Sequence, residues 1–185
     1  MSNGEGLVVW LTGLPASGKT TLARKLQETL RGRGARVEIL DGDEVRKWLS
    51  PEAGFSREDR ERHLRRVAHV AKLLARNRVT VLASFVSPYR KAREEARRIV
   101  EEDGLEFMEV YVKCGLETCI SRDTKGLYKA ALEGKIKDMT GINDVYEEPM
   151  TPDIVVDTEK ESVEECVSSI LTALVKQTAQ KKALK

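Results

Sequence analysis

The chain has 185 residues, of which 41% are hydrophobic and 34% charged, with 32 Lys and Arg against 30 Asp and Glu for a net charge of +2. That length suits one domain able to bury a core without disulfide staples, and the near-balance of charge gives no electrostatic reason to expect a nucleic-acid partner. No run of about 18 apolar residues is present to span a membrane as a helix.

Residues 1–6 show no basic stretch leading into an apolar one, so no signal peptide is read there. The apolar run at 7–11 reads as a strand. It leads directly into Gly13-Leu14-Pro15-Ala16-Ser17-Gly18-Lys19-Thr20, which has the form G-x-x-x-x-G-K-[ST]. Leu22, Leu26 and Leu30 then mark a helix over 19–31, followed by Gly32 and Gly34 as stop signals. Strand, glycine loop and helix in that order form a phosphate-binding loop (P-loop). Backbone N–H groups can converge on phosphate oxygens where no Cβ intervenes, and the helix adds its own free N–H groups. Lys19 would reach the β- and γ-phosphates of ATP, the Thr20 hydroxyl would bind Mg²⁺, and Thr21 completes the ATP-binding stretch.

A short strand at 37–40 delivers Asp41-Gly42-Asp43. Two carboxylates two residues apart at a strand exit fit a site near the γ-phosphate. One would hold Mg²⁺ through water while the other takes a proton from an attacking hydroxyl. An ordinary turn or helix cap would use the same residues. Two helical segments follow. In the second, Ser56 is the N-cap with Asp59 three residues on, and Leu64, Val67, Ala71 and Leu74 make one apolar face. Phe55, just before that cap, reads equally well as a base-stacking ring or as a hydrophobic staple. Arg60 and His63 share a face near the helix start where an anion would dock, although His63 reads as well as a plain surface residue. Arg65 and Arg66 read as a solvated face.

Residues 79–86 form the next strand, ending at Ser87-Pro88, with Pro88 opening a helix to about 102. A fourth strand spans 105–112 and a short helix 115–121. Cys114, Cys119 and Cys166 are odd in number, with no C-x-x-C pair, and read as free thiols in a reducing compartment. With the absent signal peptide they predict a cytoplasmic protein. Residues 122–149 have no clean period but many glycines and lysines. They are expected to form a mobile basic lid that closes over the transferring phosphoryl group and brings Lys125 or Arg122 to it. Asp123-Thr124-Lys125-Gly126 has the D-x-x-G form of a GTPase switch, but no suitable strand precedes it and no guanine-reading sequence occurs. A fifth strand covers 153–157 and a closing helix runs from 163 to about 176, leaving 177–185 as a frayed tail. The whole predicts one α/β domain over 1–185: a three-layer P-loop NTPase fold with a mainly parallel five-stranded sheet, helices on both faces, and a lid. In such a sheet the ligand lies beyond the carboxyl ends of the strands.

Taken together, these stretches resemble adenylyl-sulfate kinase. The resemblance rests on Gly13 to Thr21, Leu40 to Arg46, Gly54 to Arg60, Phe85 to Arg90, Lys125 to Lys129 and Thr140 to Asn143, in order along residues 7–157. It implies transfer of the ATP γ-phosphate to the 3′-hydroxyl of adenosine 5′-phosphosulfate (APS), with Mg²⁺, by a homodimer. It further implies Asp43 as base with Asp41 beside the metal, and Arg46 and Arg60 on the phosphosulfate. Phe55 would stack on the APS adenine, and Ser87 matches a serine described as a phosphoenzyme site. Direct in-line attack needs only positioning and charge stabilisation, so no covalent step is expected. His63, Val86, Lys125, Gly126, Leu127, Gly141 and Ile142 complete the implied APS contacts. The chain departs from the family pattern at His63, which can still hydrogen-bond as the usual asparagine would and can also charge near neutral pH. It departs also at Met139, a thioether for the second side of the adenine sandwich, and at Thr124, which frees the lid entry. Another small-molecule P-loop kinase and a non-catalytic nucleotide-binding subunit are the competing readings.

Overall fold

The computed structural model describes residues 6–183. In chain order its elements are β1 (Leu7–Thr12), α1 (Lys19–Gly32), β2 (Val37–Asp41), α2 (Gly42–Leu49), α3 (Arg57–Arg76), β3 (Thr80–Ser84), α4 (Arg90–Glu101), β4 (Glu106–Lys113), α5 (Leu116–Ser121), α6 (Leu127–Leu132), β5 (Ile154–Asp157) and α7 (Val163–Ala183). The strands make one sheet in the order β2-β3-β1-β4-β5, with every pairing parallel. Helices cover both faces, which gives the three layers of a P-loop NTPase.

Alternation along β1 divides the core. Val8 and Trp10 face α3 and α4, where they pack with Leu64, Val67, Ala71 and Phe107. Val9 and Leu11 face α1 and α7, among Leu22, Leu26, Ile170 and Leu174. A strand buried on both faces carries apolar side chains at every position, as β1 does. Because β1 feeds α1 on one face and β3 feeds α4 on the other, a crevice opens between their carboxyl ends. That is where ligands bind in open parallel sheets.

Several boundaries differ from those the sequence predicts. β3 ends at Ser84, because the chain leaves the sheet there and turns at Ser87, whose φ is 47°. α4 therefore starts at Arg90 rather than at Pro88, and its first N–H is received by Glu147 Oε2 at 2.8 Å. The region 122–149 contains a helix, α6. Tyr128, Ala131 and Met139 from it are buried with Cys114 and Cys119. A single apolar turn is too short for its period to stand out. α7 continues through Ala183, beyond the end expected at about 176, while residues 1–5 and 184–185 lie outside the described residues.

One buried guanidinium ties the crevice walls together. Arg93 on α4, 3% exposed, donates from Nε to Glu109 Oε1 at 2.7 Å, from Nη1 to the Ser87 carbonyl at 2.6 Å and from Nη2 to the Glu147 carbonyl at 2.7 Å. Burial pushes the Glu109 carboxyl above its ordinary value, with Arg93 opposing the rise. Removing one member of such a pair strands the other charge in the interior. Arg93→Met is expected to lower stability by about 3–5 kcal/mol in urea unfolding. A loss below about 1 kcal/mol, the range of an exposed pair, would show that the clamp is not structural.

Candidate active site

The P-loop bends between β1 and α1 with backbone that excludes side chains. A Cβ on Gly13 would lie 2.4 Å from the Val112 carbonyl oxygen, and Gly18, with φ of 97°, precedes α1 without any side-chain cap. The first-turn N–H groups of α1 are thereby left for an anion. Lys19 is 8% exposed and curls over the loop, donating to the Gly13 carbonyl at 3.0 Å and the Leu14 carbonyl at 2.7 Å. Desolvation brings its pKa down to about 8. A phosphate at this place would restore what burial takes from the ammonium.

Both flanks of the loop are held by residues that sequence reading passes over. The Tyr128 hydroxyl donates to the Pro15 carbonyl at 3.0 Å, and the Thr158 hydroxyl to the Ser17 carbonyl at 3.0 Å. Tyr128 belongs to α6 and Thr158 follows β5, so only the fold brings them to the loop. Arg122, expected to swing toward the phosphoryl group, instead donates to the Thr158 carbonyl at 2.8 Å and its hydroxyl at 3.1 Å. Thr21 lies exposed on α1.

Parallel pairing sets Asp41 of β2 opposite Ser84 of β3, and Ser84 opposite Leu11 of β1. The Thr20 hydroxyl donates to Asp41 Oδ2 at 2.7 Å and lies 3.4 Å from Ser84 Oγ. Asp41 is also the N-cap of α2, its Oδ1 receiving the Asp43 N–H at 3.1 Å. The cap and the active-site reading are thus both satisfied by one carboxylate. Oxygen donors of this kind suit Mg²⁺, and among the described residues no cluster of three His, Cys, Asp or Glu competes for a metal.

Beyond Asp41 lies a cleft of about 520 Å³, walled by α2, the start of α3 and residues 85–88. Asp43 and Arg46, one turn apart on α2, face it with Phe55, Arg60, His63, Val86 and Ser87. Asp43 is exposed and ion-paired with Lys125 from the lid. Phe55 is 56% exposed, with the Arg46 guanidinium 4.8 Å and that of Arg60 5.4 Å from its ring centre. It is not a staple, because Arg60 occupies the helix position that an apolar partner would need. Arg46 is steadied by the Gly54 carbonyl at 2.7 Å, and Arg60 by the Phe55 carbonyl at 2.8 Å and by the Asp138 carbonyl.

Sequence readings are corrected here at His63, Arg66, Met139, Gly141 and Ile142. His63 is not a surface residue: it is 2% exposed, its Nδ1 lies 2.9 Å from Ser50 Oγ, and its ring packs tilted on Phe85. Burial first, then the Arg46 and Arg66 charges, bring its pKa down to about 4, so it does not charge near neutrality. Arg66 is not free in solvent but donates to the Leu49 carbonyl and Ser50 Oγ, each at 3.1 Å. Met139 is packed under the lid rather than against Phe55. Gly141 and Ile142 line not this cleft but a second cavity of about 350 Å³, shared with Leu14 of the P-loop. Gly126 and Leu127 sit at the start of α6, with only Lys125 extending to Asp43. Ser87 is 2% exposed, and its hydroxyl oxygen receives the Trp10 indole N–H at 3.0 Å.

Residues 5–157 match the family model described as adenylylsulphate kinase. A probable adenylyl-sulfate kinase of Aeropyrum pernix is 57% identical over 172 residues, covering 93% of each chain. The solved APS kinase CysC of Mycobacterium tuberculosis, in complex with AMPPNP and APS, superposes with a TM-score of 0.89 at 38% identity, covering 92% of this chain and 98% of that one. A hexameric APS kinase from Thiobacillus denitrificans gives a TM-score of 0.71 at 31% identity, covering 95% of this chain and 30% of that one.

The lowered His63 pKa carries a stability consequence. Between its folded value of about 4 and the ordinary 6.5, the unfolded chain binds a proton that the folded one does not. This contribution to stability is therefore whole above pH 6.5 and is lost as pH falls toward 4. His63→Gln is expected to flatten the acid side of the denaturant-midpoint profile over that window. Titration of the His63 ring near 6.5 by NMR would contradict it.

Proposed function

This chain belongs to the adenylyl-sulfate kinase family, and on that premise we propose how its residues divide the work of the reaction. It is an ATP-dependent kinase that transfers the γ-phosphate of ATP to the 3′-hydroxyl of APS, giving 3′-phosphoadenylyl sulfate and ADP. One observation carries the division of roles: an exposed carboxylate, two guanidinium groups and an open aromatic ring share a single cleft beside the P-loop.

Residues 13–21 hold the ATP phosphates, with Lys19 exchanging its loop carbonyls for the β- and γ-phosphate oxygens. Mg²⁺, bound by the Thr20 hydroxyl and by Asp41 through water, would neutralise phosphate charge. The 2.7 Å contact between those two side chains fits this set. The APS adenine stacks on Phe55, where Arg46 and Arg60 already approach the ring, and the same two arginines take the phosphosulfate. Asp43 accepts the 3′-hydroxyl proton as the oxygen attacks. Lys125, paired with Asp43, places positive charge along the path of the phosphoryl group. Val86 and Ser87 form the cleft floor, and the buried Ser87 hydroxyl serves this surface rather than a covalent step. Gly126, Leu127, Gly141 and Ile142 act as the edges on which the lid, about 122–149, moves.

We further propose that the chain works as one kinase domain, as a homodimer, in the cytoplasm. No described helix is long and apolar enough to cross a membrane. Trp48, Leu132 and Met150 expose large apolar surfaces available for self-association. Sedimentation giving a monomer mass would remove the dimer, and a hexamer mass would align the chain with the Thiobacillus denitrificans relative.

Coupled measurement of ADP release tests the acceptor. Turnover is expected with APS and not with adenosine monophosphate; the reverse would point to another small-molecule kinase. Asp43→Asn is expected to lower kcat by roughly a hundredfold or more while leaving the ATP KM within about threefold. An unchanged kcat would take the base role from Asp43. Ser87→Ala is expected to retain substantial turnover, and its complete loss with both substrates still bound would favour a phosphoserine path.

A further inference from the structure

Among the described residues nothing hydrogen-bonds His63 Nε2, a buried polar atom on a residue that lines the cleft. Its other ring nitrogen faces Ser50 Oγ at 2.9 Å, and that hydroxyl receives a bond from Arg66 Nη1 at 3.1 Å. Ser50 itself is 1% exposed.

The tautomer follows from counting donors and acceptors. A guanidinium only donates, so among the described residues the one acceptor in hydrogen-bond contact with the Ser50 O–H is His63 Nδ1. If Ser50 donates to Nδ1, the proton is on Nε2 and one buried group lacks a partner. If instead Nδ1–H donates to Ser50, the serine hydrogen and a bare Nε2 lone pair are both stranded. Each buried polar group left unpaired is costly, so the first arrangement prevails. A charged ring would satisfy neither count and would add a third cation beside Arg46 and Arg66, with Glu52 the acidic group whose charge opposes them.

We propose that Ser50, backed by Arg66, is a positioning residue that locks His63 as the Nε2–H tautomer and so presents one neutral donor to an oxygen of the anionic nucleotide in the cleft. The proposal rests on the acceptor reading given above and adds to it the state of the donor and the residue that sets it. A neutral donor is read by direction and distance, whereas Arg46 and Arg60 attract any anion. His63 then contributes discrimination between oxygen positions more than raw attraction.

The chain has only two histidines, His63 and His69, so long-range ¹H–¹⁵N correlation on the labelled full-length protein resolves both rings. His69→Gln assigns them. The free protein at pH 7 is expected to show His63 protonated at Nε2 alone, and addition of APS without ATP to shift that N–H. Protonation at Nδ1, a cationic ring, or an N–H that APS leaves untouched would overturn the proposal. Ser50→Ala is expected to mix the tautomers and to raise the KM for APS roughly five- to tenfold, the scale of one lost hydrogen bond. Its kcat and ATP KM should stay within about twofold, and Ser50→Thr should recover the APS KM. The 1/KM for APS should show no inflection assignable to His63 between pH 6 and 8, a window that starts about two units above its pKa of about 4. An unchanged APS KM, or an equal fall in every kinetic parameter, would overturn the role of Ser50. Absence of turnover with APS in the unsubstituted protein would instead remove the acceptor reading, while the tautomer of the free protein would still stand or fall by the spectrum.

Discussion

The site depends above all on parallel pairing in a single register. Leu11, Ser84 and Asp41 lie side by side on three adjacent strands, so the P-loop, the β3 exit and the β2 exit leave the sheet at one level. A slip of one residue would turn Asp41 to the opposite face and separate it from Thr20. It would also carry Val8 and Trp10 out of one core layer and Val9 and Leu11 out of the other. The apolar packing of β1 thereby enforces the distance between a hydroxyl and a carboxylate that lie 21 residues apart. Stability and chemistry draw on the same constraint.

Charge in the crevice is arranged for anions on both sides of that edge. Lys19 rests on loop carbonyls at the cost of desolvation, while Arg46 and Arg60 rest on carbonyls of residues 53–55 and 138. Lys19 and Arg46 are therefore held in place by neutral acceptors, which leaves their charge largely uncancelled. Arg60 is in part offset by Asp144, 3.8 Å from its Nε, and Lys125 is paired with Asp43 across an exposed gap. An exposed pair is weak, so a phosphoryl group arriving between them competes with it at little cost.

Local chemistry made the phosphate site legible in the sequence, because the glycines, Lys19 and Thr20 act within eight consecutive residues. The alternation of strands and helices likewise exposed the sheet, and Ser56 with Asp59 marked the start of α3. What escaped was whatever depends on distant partners. His63 looks like a surface residue from its spacing, and only the approach of Ser50 and Phe85 buries it. Arg93 sits in a run of charged residues on α4, and nothing in that run shows that one of them spans β4, residue 87 and residue 147. Tyr128 and Thr158 reach the P-loop from more than a hundred residues away.

The lid illustrates why such contacts matter to mechanism. A segment rich in glycine and lysine suggests free motion, yet this one is fastened at its near end by Tyr128 on Pro15 and at its far end by Glu147 on Arg90 and Pro88. Asp144 adds a third hold, accepting from the Tyr89 hydroxyl at 2.9 Å and lying 3.8 Å from Arg60 Nε. Motion consistent with these anchors is confined to residues 133–137, ahead of the Asp138 carbonyl that Arg60 holds, and to Lys125, which precedes Tyr128 and whose pairing with Asp43 is exposed. The donor loop and the acceptor cleft are joined through the lid itself, so a nucleotide that displaces Lys19 from its carbonyls acts on a loop to which Tyr128 is bonded. The P-loop and the acceptor cleft thus share one strap, tied to the loop by Tyr128 and to the cleft by Lys125 and Asp138.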